Sequence, residues 1–166
     1  MQTLRKIVDF YINSSLHVGF AIFCLVQITG LSTFGLDLKT YPYLVFFGSV
    51  VGYNFLKYFE WFQNKKWVRF NFIGIALVSG MSSVGFLIFF LRQSVTIQLY
   101  LALALGFVLF YPLVRRVGWL KLFFVSLVIS YVTVFIPLEA KGEMEWALFC
   151  QRFLMLCALI VPFEIL

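Results

Sequence analysis

Long apolar stretches alternate with short polar breaks along this chain. A helix needs roughly 20 mostly apolar residues to cross the hydrocarbon core of a bilayer, so each such stretch predicts a transmembrane helix. The pattern predicts spans at residues 16–34, 41–61, 68–91, 95–113, 117–138 and 146–165. The first span follows a polar stretch of fifteen residues and lacks a small-residue cleavage site, so it is not expected to be a cleavable signal peptide.

The breaks between the spans are too short to hold a separate domain. Short connections make sequential helices antiparallel neighbours in a compact bundle. The sequence therefore predicts a single transmembrane domain over residues 1–166. Its predicted fold class is all-α, a polytopic membrane bundle of six transmembrane helices in the cytoplasmic membrane.

The composition excludes a soluble domain. Of the 166 residues, 63% are hydrophobic and only 12% are charged, and the mean hydropathy is +0.99. Too few charged residues remain to cover a soluble surface of this size. A net charge of +6 would suggest nucleic-acid binding in a soluble protein, but here the basic residues lie mostly between the spans, where they indicate topology. No nucleic-acid partner is therefore expected.

Basic residues are distributed unequally between the two predicted faces of the bundle. One face is predicted to hold nine Lys and Arg residues and the other three, apart from one arginine inside the sixth span. The nine are Arg5, Lys6, Lys57, Lys65, Lys66, Arg69, Arg115, Arg116 and Lys121, and the three are Lys39, Arg92 and Lys141. Because cytoplasmic loops carry the excess of Lys and Arg, both termini are predicted to be cytoplasmic.

Small residues spaced one helical turn apart mark faces where membrane helices pack closely. Gly48 and Gly52 lie four residues apart in the second predicted span, and their face is predicted to join a membrane partner or a second copy of the chain. In the fifth span, Ser126, Ser130 and Thr133 share one narrow arc that should face protein. That arc is either a site of ordinary interhelical hydrogen bonding or the wall of a polar cavity.

A polar face at the cytoplasmic end of the second span is the sharpest chemical signal in the sequence. It consists of Asn54, Lys57, Tyr58 and Trp61, which lie at positions i, i+3, i+4 and i+7. An ammonium group beside amide and phenol donors is suited to binding a phosphate or a carboxylate. The alternative is that Lys57 reaches the lipid headgroups while Asn54 bonds to a neighbouring helix.

Glu164 lies at the predicted cytoplasmic end of the sixth span, on the same side as this polar face. Its carboxylate is a candidate ligand for a divalent cation or a partner for Lys57, and the alternative is a solvated chain end. One acid alone makes a weak metal site, because magnesium takes one or two carboxylates together with substrate phosphates. The sequence contains no nucleophile elbow, phosphate-binding glycine loop or zinc spacing, so no catalytic residue is predicted.

Several segments resemble the UbiA-type intramembrane prenyltransferase superfamily, in particular its small uncharacterised relatives. They are DFYINSSLH at 9–17, GYNFLKY at 52–58, VTVFIPL at 132–138, QRFL at 151–154 and PFE at 162–164. The resemblance implies an all-helical membrane enzyme that moves a prenyl group from a diphosphate to an acceptor, with Mg2+ ions bridging the diphosphate to aspartates. Since the family usually has nine spans, it also implies that this chain corresponds to the N-terminal two-thirds of the fold.

The family motif maps onto this chain only in part. The family's second span ends in Asn-x-x-x-Asp-x-x-x-Asp, and Asn54 matches the asparagine, whereas Tyr58 and Phe62 stand at the aspartate positions. Glu164 would open the second acidic motif. Ionising a prenyl diphosphate develops negative charge that metal ions and cationic side chains must stabilise, so the missing acids argue against catalysis by this chain alone.

Three functions from different classes remain open at this point. The leading hypothesis is a divergent superfamily member that binds a prenyl diphosphate or a membrane lipid through Asn54, Lys57, Tyr58 and Glu164. The alternative is a non-catalytic membrane scaffold or subunit. A small transporter is the third, motivated by Arg152 and the hydroxyl arc of the fifth span, although no acid within the spans offers a proton relay.

Overall fold

The computed structural model of the chain describes residues 2–33, 38–63, 72–114, 118–142 and 144–165, and it is helical almost throughout. The helices are α1 (Gln2–Asn13), α2 (Leu16–Ser32), α3 (Tyr41–Gln63), α4 (Phe72–Leu91), α5 (Val95–Val114), α6 (Gly118–Ser130), α7 (Ile136–Glu139) and α8 (Trp146–Ile165). A π-helical turn, Tyr131–Phe135, joins α6 to α7. No strand occurs among the residues described, which confirms the all-α class.

The helices coincide with the six predicted spans to within about a turn at each end. Two helical segments in the described ranges, Ile73–Leu91 and Leu120–Glu139, are long and apolar enough to cross a membrane by themselves. Helices α1 and α2 would add a third as a pair bent by 63°. The described ranges therefore contain two to three helices suited by length and composition to spanning a membrane.

The polar N-terminal stretch forms helix α1, an element that was not predicted separately from the sequence. Its apolar residues Leu4, Ile7, Val8 and Tyr11 recur at the spacing of an amphipathic helix. This periodicity is the feature of the sequence that indicates α1. Charged residues lie between the apolar positions, so the stretch as a whole reads as polar.

The chain divides into two compact units. The first comprises Met1–Ile28 and Asp37–Arg92, and the second comprises Thr29–Leu36 and Gln93–Leu166. Each unit has its own packing and its own set of buried polar side chains. The prediction of one domain over residues 1–166 stays a prediction.

In the first unit, glycines of α3 and α4 make room for aromatic rings of the opposite helix. A Cβ atom added to Gly48 would lie 3.1 Å from the ring of Phe86, and one added to Gly85 would lie 3.0 Å from the ring of Phe47. Each helix thus supplies one glycine and one ring. Such close contact favours association of membrane helices, because lipid removes the hydrophobic driving force between them.

Gly19 of α2 makes the tightest glycine contact in this unit. A Cβ atom there would lie 2.6 Å from Cγ2 of Val50 and 3.2 Å from the carbonyl oxygen of Phe46. Val50 is fully buried, and its branched side chain has little rotational freedom. At Gly52, by contrast, an added Cβ atom would meet no atom within 4 Å beyond its own helix backbone in the part of the chain that the structure describes.

We predict that Gly19→Ala lowers the free energy of unfolding by about 1–3 kcal/mol, because the added methyl group overpacks the contact with Val50. Gly52→Ala is the matched control, and its higher helix propensity should leave stability unchanged or raise it by up to about 1 kcal/mol. Equilibrium unfolding of the purified protein in detergent, followed by tryptophan fluorescence, measures both variants. Equal stability of the two would contradict the close packing of α2 on α3.

In the second unit, α6 continues through the π-helical turn into α7 without a break. The backbone N–H of Ile136 donates to the carbonyl of Tyr131, a bond across five residues that defines the π-helix. Pro137 follows directly and carries no N–H, and in a regular α-helix its ring would clash with the carbonyl four residues earlier. The wider turn makes room for this ring, so the proline is accommodated inside a continuous helix.

Candidate functional site

The chain turns sharply between α1 and α2 at residues 13–15, a turn that we call the elbow. The two helices are bent by 63° relative to each other. Ser15 has a φ angle of 59°, in the left-handed region that residues other than glycine seldom adopt. Ser14 and Ser15 are 0% and 2% exposed, so the elbow is packed against its surroundings. A strained turn of this kind persists only where neighbouring contacts hold it in place.

Asn54 of α3 ties the elbow to α4. Its Nδ2 atom donates to the carbonyl oxygen of Ser14 at 3.0 Å and to Oγ of Ser79 at 2.8 Å. Because a carbonyl oxygen can only accept, the amide nitrogen must face Ser14, which fixes the orientation of the amide group. The side chain is only 3% exposed, so no bulk water competes for these bonds. One buried amide therefore connects three segments of the first unit.

Tyr58 and Lys57 hold the end of α1. The hydroxyl of Tyr58 donates to the carbonyl oxygen of Asn13 at 2.8 Å, and Nζ of Lys57 donates to Oδ1 of the same residue at 3.2 Å. Nζ of Lys57 also lies 5.5 Å from the centre of the Tyr58 ring, within the range of a cation–π interaction. Tyr58 is 8% exposed, whereas Lys57 is exposed. The phenol is therefore buried in the packing, and the ammonium group remains accessible.

Three of the predicted site residues, Asn54, Lys57 and Tyr58, all form hydrogen bonds to the elbow. We call the whole set the elbow cluster, and it consists of Asn13, Ser14, Asn54, Lys57, Tyr58 and Ser79. The alternative role considered for Asn54, bonding to neighbouring helices, is the one that its two hydrogen bonds show.

The fourth candidate, Glu164, belongs to α8 by its backbone, but its side chain lies outside the described residues. The same holds for the side chain of Trp61 in α3. The predicted meeting of Glu164 with Asn54 and Lys57 at one pocket therefore stays a prediction. So does the proposed role of Glu164 as a metal ligand.

The elbow cluster does not fit a magnesium site. Its side chains supply amide, hydroxyl and ammonium groups and no carboxylate, whereas magnesium is bound through carboxylates together with substrate phosphates. Across the described ranges, no three His, Cys, Asp or Glu residues are grouped so that they could hold a metal ion. The Mg2+ implied by the family resemblance stays an expectation, and no chemistry at the elbow is derived from it.

Two buried polar atoms beside the elbow have no hydrogen-bond partner among the residues described, Oδ1 of Asn54 and Nδ1 of His17. His17 lies in the first turn of α2, and its ring centre is 5.8 Å from that of Tyr11. Buried polar atoms are rarely left unpaired, so each marks a place for a water molecule or a ligand group. Sequence reasoning did not select His17, because one histidine without a second metal ligand carries no specific signal.

A second set of buried polar side chains lies in the second unit. Arg152 of α8 is 5% exposed, and its Nη2 atom donates to Oγ1 of Thr29 at 3.3 Å. Ser126 and Ser130 of α6 are fully buried, and their hydroxyls have no partner in the described part of the chain. The hydroxyl of Thr133 donates to the carbonyl four residues earlier in its own helix, at 2.8 Å. The hydroxyl arc predicted for the fifth span therefore faces the protein interior.

Sequence reasoning missed the partners that receive the hydrogen bonds of the elbow cluster. Asn13 and Ser14 lie 44 and 40 residues before Lys57 and Asn54, and Ser79 lies 25 residues after Asn54. The only available signal was the polar run Asn-Ser-Ser immediately before an apolar span. Such a run predicts a helix boundary, but it does not say which helix will contact it.

Comparison with known proteins adds no relative to this picture. No protein-family model matches the chain, no curated protein matches it, and no solved structure matches its fold. The family resemblance remains an expectation from the sequence segments, and the function proposed for this chain rests on the geometry of the elbow cluster.

We predict that Asn54→Leu lowers the free energy of unfolding by about 1–3 kcal/mol, because the carbonyl of Ser14 and the hydroxyl of Ser79 lose a donor in a buried site. Ser83→Ala is the control, since this exposed hydroxyl bonds to a carbonyl of its own helix and its loss should cost no more than about 0.5 kcal/mol. Thermal and chemical unfolding in detergent measure both. If Asn54→Leu were no more harmful than the control, Asn54 would not be holding the elbow.

Proposed function

We propose that the chain is a multi-pass integral membrane protein with six spans and with both termini in the cytoplasm. Two observations support this topology. Where the structure describes the six apolar stretches, each is helical over most of its length. The nine-to-three distribution of Lys and Arg between the two faces follows the positive-inside rule.

Within this topology, we propose that the elbow cluster binds the phosphate end of a prenyl diphosphate or a similar phosphorylated lipid. The proposal rests on Lys57, whose ammonium group is exposed and is held in place by a hydrogen bond to Asn13. An ammonium has three N–H donors, and only one is needed for the bond to Asn13. The remaining donors and the positive charge are suited to a phosphate, for which lysine is a common ligand.

The structure divides the predicted site residues into two roles. Lys57 is the residue proposed to touch the ligand, because its ammonium group is accessible. Asn54 and Tyr58 are positioning residues, because their donors are directed at the backbone of the elbow. They hold Asn13 in place, and Asn13 in turn holds the ammonium group of Lys57.

The apolar part of the ligand would lie along α3. Tyr53 precedes Lys57 by four residues, which places the two side chains on the same helical face. Its ring is 39% exposed and so offers apolar surface beside the ammonium group. A phosphate bound at Lys57 could therefore be followed by a hydrocarbon chain lying against this ring and the surrounding lipid.

Binding is proposed without prenyl transfer. Departure of a diphosphate builds up negative charge that two metal ions and their aspartates normally stabilise in the superfamily that the segments resemble. Tyr58 and Phe62 stand where those aspartates would be. One lysine supplies a single charge, which is enough to hold a phosphate but does not replace a metal clamp.

We predict that Lys57→Ala weakens binding of farnesyl diphosphate about tenfold or more, because a hydrogen bond to a charged group typically contributes 1.5–3 kcal/mol. Titration calorimetry of the protein in nanodiscs provides the affinity. Lys57→Arg should retain most of it, and Lys141→Ala, an exposed lysine on the predicted opposite face, should change nothing. Unchanged affinity in Lys57→Ala, or an equal loss in Lys141→Ala, would rule out the proposed role.

The alternative function is that of a non-catalytic membrane subunit or scaffold, joined to a partner or a second copy through the Gly48 and Gly52 face. Gly48 is covered within its own chain by the ring of Phe86. The observation that favours this alternative is the space that the described residues leave open at Gly52, where a neighbouring helix could approach the backbone closely.

For this alternative we predict that Gly52→Leu lowers the yield of crosslinked species in native membranes several-fold, because a bulky side chain keeps helices apart at a small-residue interface. Gly80→Leu on α4 is the matched control, since space is open there too. Amine- or photo-crosslinking followed by gel electrophoresis gives the readout. Crosslinking that persists in Gly52→Leu would reject this interface.

A further inference from the structure

The second unit holds a positive charge in its interior. Arg152 of α8 is only 5% exposed, and Nη2 of its guanidinium group donates to Oγ1 of Thr29, which is fully buried. The hydroxyl of Thr29 is neutral, so this bond does not itself offset the charge. Arg152 follows Trp146, the first residue of α8, by about 9 Å along the helix axis. A cation at such a depth in a membrane span is costly, and residues of this kind generally mark a functional site.

Two serine hydroxyls are buried on the side of α6 that faces α8. Ser126 and Ser130 are fully buried, and neither Oγ atom has a hydrogen-bond partner among the residues described. At about 100° per residue, both serines lie within about 60° of Phe123 around the helix. The ring centre of Phe123 is 6.4 Å from that of Phe153 in α8. Both hydroxyls therefore lie towards α8, the helix that carries Arg152.

The register of the two helices brings Arg152 to the level of these hydroxyls. The ring centre of Phe123 lies 6.4 Å from that of Phe153, and the ring centre of Phe135 lies 6.4 Å from that of Phe149. Since the residue number rises along one helix as it falls along the other, the two helices are antiparallel. With an equal rise per residue, the positions level with Arg152 lie between about 124 and about 132. Both buried serines fall within this interval.

We propose that Arg152, Ser126 and Ser130 bind a small monovalent anion, such as chloride, in the interior of the second unit. Guanidinium and hydroxyl groups can all donate hydrogen bonds, and an anion can accept from all three side chains. It would give each serine hydroxyl the partner that buried polar groups usually have. One negative charge balances the single charge of the guanidinium group, whereas a divalent anion would leave a net charge inside the unit.

The burial of these side chains limits the size of the ligand. None of the three is more than 5% exposed, so a group that they hold together is enclosed within the unit. A lipid tail or the carbon chain of a sugar acid would have to displace the surrounding helices. A halide, or an anion of a few atoms such as nitrate, offers acceptors without such a chain.

The test measures equilibrium binding of radiolabelled chloride to the full chain in nanodiscs at constant ionic strength. We expect saturable binding that unlabelled bromide displaces. Gluconate, which is too large, and sulfate, which is divalent, should not displace it. If sulfate or gluconate displaced chloride as effectively as bromide, the ion would be bound at exposed basic residues, and the proposal would be wrong.

Ser126→Ala and Ser130→Ala should each weaken chloride binding about tenfold or more, because each removes a hydrogen bond to a charged group. Neither hydroxyl has a partner in the described part of the chain, so both variants are expected to fold as the wild type does. Thr133→Val is the matched control. The hydroxyl of Thr133 belongs to the same arc but already bonds to the carbonyl of Ile129 in its own helix, so its removal should leave the affinity unchanged.

Arg152→Gln should abolish saturable binding, and thermal unfolding in detergent shows whether this variant is folded. If it is not, the two serine variants still decide the question. Absence of saturable chloride binding to the wild type would overturn the proposal. So would unchanged affinity in both serine variants, or an equal loss in Thr133→Val. Because these residues lie in the second unit, such a failure would leave the phosphate site proposed at Lys57 in the first unit untouched.

Discussion

The buried amide of Asn54 is the interaction on which the described arrangement of the first unit depends. It joins the elbow to α4 through α3, and its surroundings are closed to bulk water. In an apolar environment a backbone carbonyl without a donor is costly, so the elbow is most stable where the amide can reach it. A single hydrogen bond between membrane helices contributes about 0.6 kcal/mol on average. The larger loss predicted for Asn54→Leu arises because two buried acceptors would lose their donor. Asn54 also matters for geometry, because the strained turn at Ser15 has to be held in one position.

The elbow also positions the residues for which a function is proposed. Asn13 ends α1 and accepts hydrogen bonds from both Tyr58 and Lys57. The same contacts therefore position the accessible ammonium group and set the direction in which α1 leaves the bundle. Any change that releases the elbow should therefore disturb the proposed phosphate site.

Packing in the first unit is achieved by shape rather than by burial from water. Gly48 and Gly85 each admit a ring from the opposite helix, and Gly19 brings α2 against Val50. Where the helices are surrounded by lipid, this fit is among the main attractions between them. The same fit explains why substitutions at Gly48 and Gly52 should differ in effect. Gly48 lies against a ring, whereas Gly52 faces open space within the described structure.

The sequence by itself determined the all-α class and the positions of the long apolar helices, because a run of apolar residues of membrane-spanning length is a local property that can be counted along the chain. It also identified Asn54, Lys57 and Tyr58 as one polar face, since the helical period alone places them together. Only the tertiary structure decided what that face contacts, because its partners lie some 40 residues away, with no local pattern connecting them. In the same way, the sequence contained the amphipathic period of α1, but the 63° turn that orients the helix arises from hydrogen bonds and close contacts between residues distant in the chain.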